Sequence, residues 1–387
     1  MPWKEKTVEE RRMEFVVEAL SSEKSMSQLC RDYCIDRKTG YKWLERAKNG
    51  ESMSDKSHRP KSHPNQTAPE TVELIINTRI KHPAWGARKL KRYLENQGHN
   101  GLPAQSTICE ILKRNGLVLP EESVARIPYK RFEKEHPNDM WQMDFKGDFG
   151  LLNTQRCHPL TILDDCSRFS IALEAKTNQQ RVGVFTSLEQ LFCEYGLPAS
   201  ILCDNGPPWG DSKAGGITQF DVWMMKLGVL PIHSRPRHPQ TLGKDERFHR
   251  TLNEEVLKRE IFIGIPEVQY RFDQWRYEYN FERPHNALGL DTPSKRYRPS
   301  KRKMPSQITE PDYDSGKNLR KVNSNGYISI HAHRYYLSEA LIGTMLEVKP
   351  RSDTEVSLHY GNFRLAIIDT DERLFTSRRI YRDSPKN

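Results

Sequence analysis

WQMDFKGDF, running from Trp141 to Phe149, opens a region where apolar residues recur at strand spacing, and the stretch that follows it decides the fold. PLTILDD (Pro159–Asp165) and RFSIALEA (Arg168–Ala175) repeat the strand pattern, joined by a tight turn over Asp164–Arg168. QRVGVFTSLEQLFCEYG (Gln180–Gly196) has helical spacing, ASILCDNG (Ala199–Gly206) is a short buried strand, and ITQFDVWMMKLG (Ile217–Gly228) is again helical. A strand over Val229–His233 and a long helix from Lys244 complete the unit. Strands followed by strand–helix alternation predict a mixed α/β sheet with helices on both faces.

Upstream, the first 48 residues read as helices, with Phe15, Val16, Ala19 and Leu20 at helical spacing. SMSQLCRDYCIDRKTGYKWLERAK has the rhythm of a helix-turn-helix: a helix from Ser27 to Tyr33, a turn at Cys34–Ile35, then a second helix capped by Asp36. Capped basic second helices are what enter the major groove of DNA. Arg37, Lys38, Lys42 and Arg46 are therefore candidate DNA contacts, against the blander reading of a helical hairpin with a charged outer face.

Residues 49–70, rich in Ser, Pro, Lys and His and including Arg59 and Lys61, predict an extended basic linker. A second helix-turn-helix is expected over 71–120: GARKLKRYLENQG with Leu90 and Leu94 inward, then a helix capped by Ser106 and ended by Gly116. Past the α/β region (136–300), residues 315–383 break into short alternating segments separated by Gly, Asp and Ser, which predicts a small all-β barrel or sandwich. The fold class expected is multidomain: an all-α front, an α/β core and a small β tail.

The chain has 387 residues, too many for one ordinary core, and a formal charge of +10. Its excess of Lys and Arg (61 against 51 acids) suits a polyanionic partner without specifying one. The segment Glu282–Lys303 concentrates seven of these cations against two acids, and its prolines predict an extended, phosphate-contacting stretch. Neither an apolar membrane-spanning run nor a secretory leader is read from the sequence, which predicts a cytoplasmic protein with no membrane partner. Seven cysteines without regular spacing argue against a disulfide framework, and the Cys30/Cys34 pair reads as small buried residues rather than zinc ligands.

Three acids fall at the ends of expected elements in the α/β region: Asp144, Asp204 and Glu246. Each alone is unremarkable. Together they suit phosphodiester chemistry, which uses hard cations held by carboxylates from distant elements, with two ions ~4 Å apart. Asp164 and Asp165 fit a hairpin turn, where Asp is common anyway. Asp245 falls with Phe248, Leu252 and Val256 on an apolar stripe, whereas Glu246 falls on the polar one.

Read in order, WQMDFKGDF, LDDCSRF, ILCDNGPPW, SRPRHPQTLGKDERFHRTLNEEV and YNFERPHNALGLDTPSKRY resemble the catalytic core of bacterial insertion-sequence transposases. These belong to the DDE superfamily with retroviral integrases. The resemblance spans roughly Trp141 to Tyr297. It implies an RNase H-like core, with Asp144, Asp204 and Glu246 as the catalytic acids that bind metal: two Mg2+, with Mn2+ able to substitute. Forty-one residues separate Asp204 from Glu246, more than the family's usual spacing, and the surplus is assigned to WGDSKAGG (Trp209–Gly216).

The same resemblance implies the function: metal-dependent 3'-end cleavage and strand transfer by a transposase bound to the terminal repeats of a mobile element. The partners implied are double-stranded DNA, as element ends and as target, and further copies of the chain in a dimer or higher oligomer on DNA, with no small-molecule substrate. Arg235, Arg237, Lys244, Arg247, His249 and Arg250, beside the third acid, are candidate phosphate contacts. Two other readings stay open: an inactive transposase acting as a DNA-binding regulator, and a nuclease of the same fold that only hydrolyses.

Overall fold

In a computed structural model of the chain, residues 6–57, 66–118, 133–210, 216–234 and 243–383 are described. The chain forms two compact units, Met1–Gln66 and Thr67–Asn387.

The first unit is three helices, α1 (Val8–Ser21), α2 (Met26–Asp32) and α3 (Arg37–Lys48). Thr7 and Glu10 form a reciprocal capping box at the start of α1. Asp36 occupies the N-cap position of α3, but its side chain makes no capping bond. Phe15, Val16, Leu29, Cys30 and Trp43 fill the core, whereas Leu20 is exposed, contrary to its expected place on the apolar stripe. Cys30 is buried as expected; Cys34 is exposed, because it sits in the left-handed turn between α2 and α3 (φ 53°). Gly40 lets those helices meet, since a Cβ there would lie 2.7 Å from Cys30 Sγ and 2.9 Å from the Phe15 ring. The expected linker does not begin at residue 49. Met53 is buried in this core, and Arg12 bonds both the Met53 carbonyl (2.8 Å) and the Asp55 carboxylate (2.9 Å), folding the chain back.

The second unit begins with α4 (Pro69–Lys81), α5 (Ala87–Asn96) and α6 (Gln105–Arg114). Leu90 and Leu94 are buried as their spacing predicts, and Gly116 ends α6 in a left-handed conformation. The N-cap of α6 is Ala104, not Ser106, because the helix already starts at Gln105. These helices are seated on the α/β region. The His82 ring, stacked on Trp85 (centroids 3.9 Å apart), faces the Glu278 carboxylate at 3.0 Å, and Arg92 faces Asp291 at 3.6 Å.

The α/β region holds a mixed sheet of β1 (Trp141–Phe145), β2 (Phe149–Gly150), β3 (Arg156–Asp164), β4 (Ser170–Lys176), β5 (Ser200–Cys203) and β6 (Leu230–His233). The stretch WQMDFKGDF is therefore two strands, because the chain turns at Gly147 (φ 78°). β3 pairs antiparallel with β1 and β4, while β1, β5 and β6 run parallel. Helices α7 (Arg181–Tyr195) and α8 (Gln219–Lys226) bury Leu188, Phe192, Phe220 and Met224 against one face. On the other, α9 (Gly243–Leu252) runs into a π-helical turn (Asn253–Leu257), and α10 (Ile265–Tyr277) adds Val268, Phe272 and Trp275 to a second core with Phe248 and Leu252. The long helix expected from Lys244 is thus Gly243–Leu257, α9 with its π-helical turn, and α10 follows after a break.

The segment Glu282–Lys303 is a strap packed on this region rather than a free linker, with Lys295, Arg296, Arg298, Lys301 and Lys303 exposed along it. Arg283 is buried against Glu255 (2.9 Å), Tyr297 stacks on Phe169 (4.3 Å), and Arg302 donates to the carbonyls of Pro198, Leu227 and Gly228 (2.7–2.9 Å). Carbonyls left unpaired at the ends of α7 and α8 find those guanidinium donors, which outweighs keeping the cations in water. A short helix, α11 (Pro293–Arg296), lies within it.

The C-terminal strands are β7 (Leu319–Lys321), β8 (Tyr327–Ile330), β9 (His333–Tyr336), β10 (Met345–Pro350), β11 (Glu355–Tyr360), β12 (Phe363–Asp369), β13 (Leu374–Ser377) and β14 (Tyr381–Arg382). The barrel expected from the sequence does not close among the described residues. The main sheet is an open path β13-β12-β11-β10-β7, with β14 beside β12 and β8–β9 as a separate hairpin. Its apolar face has another partner: Val222 and Met225 of α8 join Leu346, Leu358 and Ile368 in one core. Ile328, Ile330 and Tyr335 of the β8–β9 hairpin pack into the same core.

Candidate active site

Strand alternation directs Trp141 and Met143 into the first core and sends Gln142 and Asp144 to the opposite face, toward α9. Asp204 is the first residue beyond β5. The parallel register pairs Gln142 with Leu202, and two residues further along it sets Asp144 level with Asp204 on the neighbouring strand. Glu246 lies in the first turn of α9, exposed, while Asp245 beside it is fully buried with Phe248 and Leu252. The apolar-stripe placement of Asp245 and the polar placement of Glu246 follow from the helical period.

The electrostatics of Asp144 show that the three carboxylates share one field. Burial, then the charge of Asp204 and, more weakly, that of Glu246, push its carboxyl up to about 7, against a hydrogen bond from the Phe145 amide. Asp245 is also pushed well up, first by burial and then by Asp144; its Oδ1 accepts from Thr161 (3.3 Å), and its Oδ2 has no partner.

Thr161, directly across the β1–β3 ladder from Asp144, ties the site together. Its hydroxyl lies 3.0 Å from the Asp144 carbonyl and 2.8 Å from His249 Nε2. Burial and the nearby Lys146 lower the His249 ring to about 3, so a neutral imidazole packs there. This residue faces into the fold rather than toward a phosphate.

Asp204 is held by its own loop. Oδ1 accepts from the Gly206 amide (3.0 Å) and from the Trp209 indole (2.6 Å). Asn205 anchors the loop through the Ser234 carbonyl (2.6 Å), and Gly210 closes it, since a Cβ there would meet the Asn205 backbone at 2.4 Å. Behind it, the His233 ring faces the Asp204 carbonyl (3.0 Å) and the Asp221 carboxylate (2.7 Å). Burial alone would lower His233, but its bonds to Asp221 and Cys203 hold it at about 11. Two acceptors flank the ring, so both nitrogens donate. Cys203, 3.6 Å away, mimics a thiol–imidazole pair, but it is fully buried and burial raises it, so it is a packing residue and not a nucleophile.

The expected phosphate contacts fall into distinct groups. Arg37, Lys38 and Lys42 are exposed on α3. Arg46 packs over the Trp43 ring (4.7 Å) and bonds the Ser54 carbonyl (3.1 Å), so it belongs to the unit's packing. Lys244 is engaged with the buried Asp165 (2.5 Å), and Arg247 and Arg250 are exposed beside Glu246. Arg59, Lys61, Arg235 and Arg237 lie outside the described residues, as does most of the WGDSKAGG stretch.

Asp164 and Asp165 are more than turn formers. Asp164 accepts from the Asn138 and Ser167 amides, and Asp165 from Gln142 (2.7 Å) and the Lys134 amide (2.8 Å). The one sequence signal is a pair of acids closing an apolar strand.

Among the described residues, no three His, Cys, Asp or Glu side chains are already gathered into a metal-gripping cluster. The donor set nevertheless fits a hard divalent cation. Asp144, raised first by burial and then by two like charges, is the kind of carboxylate that a cation would relieve.

Residues 134–239 match the integrase core domain family, residues 227–293 a second integrase core domain family, and residues 39–112 a homeodomain-like domain. Together the two integrase core models cover residues 134–293, and over most of its length the chain is similar to bacterial insertion-sequence transposases. A putative transposase of insertion sequence element IS5376 from Geobacillus stearothermophilus is 22% identical over 91% of this chain and 86% of its own. The transposase of IS21 from Pseudomonas aeruginosa is 22% identical over 75% and 74%. An uncharacterized 39.2 kDa protein of insertion element IS476 from Xanthomonas euvesicatoria is 31% identical over 41% of this chain, a match that spans less than half (44%) of that protein. Among solved structures, the HTLV-2 integrase catalytic core in complex with magnesium shares 16% identity over 42% of this chain and 99% of its own, with a TM-score of 0.32, too low to add to the case. In the described residues no helix is long and apolar enough to cross a membrane.

Proposed function

We propose that this chain is a DDE transposase that binds the terminal repeats of a mobile element and carries out metal-dependent 3'-end cleavage and strand transfer. The observation that carries the proposal is the level placement of Asp144 and Asp204 on neighbouring strands, where burial first, then the charge of Asp204 and that of Glu246 raise Asp144 to about 7. A half-buried carboxylate in the field of two like charges is costly unless a cation belongs beside it. Asp144, Asp204 and Glu246 would hold Mg2+, or Mn2+ in its place, as two ions. When bound, the metal activates the attacking oxygen and stabilises the leaving one.

The chain's own groups supply the rest. Gly206 and Trp209 orient Asp204, Thr161 links β1 to α9, and Arg247 and Arg250 stand where phosphates would pass Glu246. In the first unit, the exposed Arg37, Lys38 and Lys42 face of α3 suits the major groove. The second helical unit, seated on the core, would fix the DNA end in register with the acids. One element has two ends, so concerted insertion calls for at least two copies of the chain on paired ends.

Labelled element ends test this. The chain with Mg2+ should nick the 3' end and join it to target DNA, and Asp204→Asn or Glu246→Gln should abolish both while leaving gel-shift binding intact. Hydrolysis without joining would mark a nuclease; binding without chemistry would mark a regulator.

A further inference from the structure

The loop after Asp204 places a tryptophan where a packing residue alone would serve. Trp209 is almost wholly buried, and its ring lies parallel to that of Phe145 at 5.4 Å, so it bridges the strand bearing Asp144 and the loop bearing Asp204. Any aromatic ring could stack so. The indole also presents an N–H, and here it points at Asp204 Oδ1 at 2.6 Å, alongside the Gly206 amide at 3.0 Å. The Thr218 hydroxyl bonds the Trp209 carbonyl (2.8 Å) and caps α8, so the tryptophan's backbone is itself tied to a helix start.

We propose that Trp209 is a positioning residue for Asp204: its indole N–H holds Oδ1 and fixes the carboxylate's rotation, so that Asp204 would meet a divalent cation already oriented. This rests on the reading of Asp204 as a metal-binding acid. A carboxylate with one oxygen tied by two donors has lost the torsional freedom it would otherwise surrender on binding metal. The stack on Phe145 sets the distance between loop and strand, and the N–H sets the direction of the oxygen. Partners that orient metal-binding carboxylates typically matter ~10–100-fold in metal affinity.

Trp209→Phe keeps the ring and the stack and deletes only the N–H. In the full chain, the Mg2+ concentration that half-saturates the thermal shift of the DNA-free protein should rise about tenfold. The half-saturating Mg2+ for joining a labelled end should rise by the same factor, while the melting temperature in EDTA stays nearly unchanged. Phe145→Leu, which weakens the stack and keeps the N–H, should lower the melting temperature in EDTA and move the Mg2+ midpoint less than twofold. An unshifted midpoint in Trp209→Phe overturns the proposal, as does a shift in Phe145→Leu equal to that of Trp209→Phe. Asp204→Asn guards the underlying reading. If it responds to Mg2+ as the parent does, Asp204 is not a metal-binding acid, a failure distinct from that of Trp209.

Discussion

Replacing Asp144 with asparagine should make the metal-free protein more stable, and by an amount that depends on pH. The carboxyl titrates at about 7 in the folded chain, near 3.9 when unfolded. A raised folded pKa means the folded state holds its proton longer. Its contribution is intact below pH ~4, declines as pH rises, and is fully lost above about 7. Three pH units correspond to ~4 kcal/mol at 1.36 kcal/mol each, and water at the partly open site screens this to ~2 kcal/mol. Asparagine carries no charge at any pH, so Asp144→Asn should gain ~2 kcal/mol at pH 8 and under ~1 kcal/mol at pH 5. For a unit of this size that is a rise of ~4–8 °C at pH 8. Thermal unfolding in EDTA at the two pH values measures it. Adding Mg2+ should stabilise the parent and not the variant. A gain equal at both pH values, or a loss at pH 8, would refute the claim that like charge and burial strain this carboxylate.

Other substitutions separate packing from function. Asp165→Asn breaks a buried ion pair with Lys244, two residues before Glu246, and should cost ~3 kcal/mol in urea unfolding; a loss under ~1 kcal/mol would show the pair to be weak. Arg302→Ala strands three carbonyls and should cost ~1–3 kcal/mol by the same assay, without changing the salt dependence of DNA binding. Arg37→Ala and Lys38→Ala should each lower the log–log salt slope of terminal-repeat binding by about one, whereas Arg46→Ala should lower the melting temperature of the first unit and leave the slope alone.

How far the chain could be read without coordinates depended on whether a residue's role was set locally. The strand over 141–145, the placement of Asp204 just beyond β5, and the opposite fates of Asp245 and Glu246 all follow from period 2 or period 3.6, and these were legible. What escaped was set by partners distant in sequence. Nothing local in Glu282–Lys303 foretells that Arg302 reaches carbonyls near the ends of α7 and α8, more than 70 residues away. His249 and Lys244 look like phosphate contacts until Thr161 and Asp165 are found beneath them. The packing of Val222 and Met225 of α8 into the tail's core is likewise something nothing in the tail's own pattern foretells.

The covering of α8 by the C-terminal sheet decides where the chain can be cut. A fragment ending near residue 300 would leave Val222 and Met225 bare, together with the partly buried Ile217 and Leu230. It would also lose the ion pair of Lys226 with Glu310. Such a fragment carries a sticky apolar patch and should precipitate or self-associate on purification. The tail alone would fare no better, since the same contact would be open from its side. Catalytic fragments that remain monodisperse would have to run through Arg382, or carry polar replacements at Val222 and Met225.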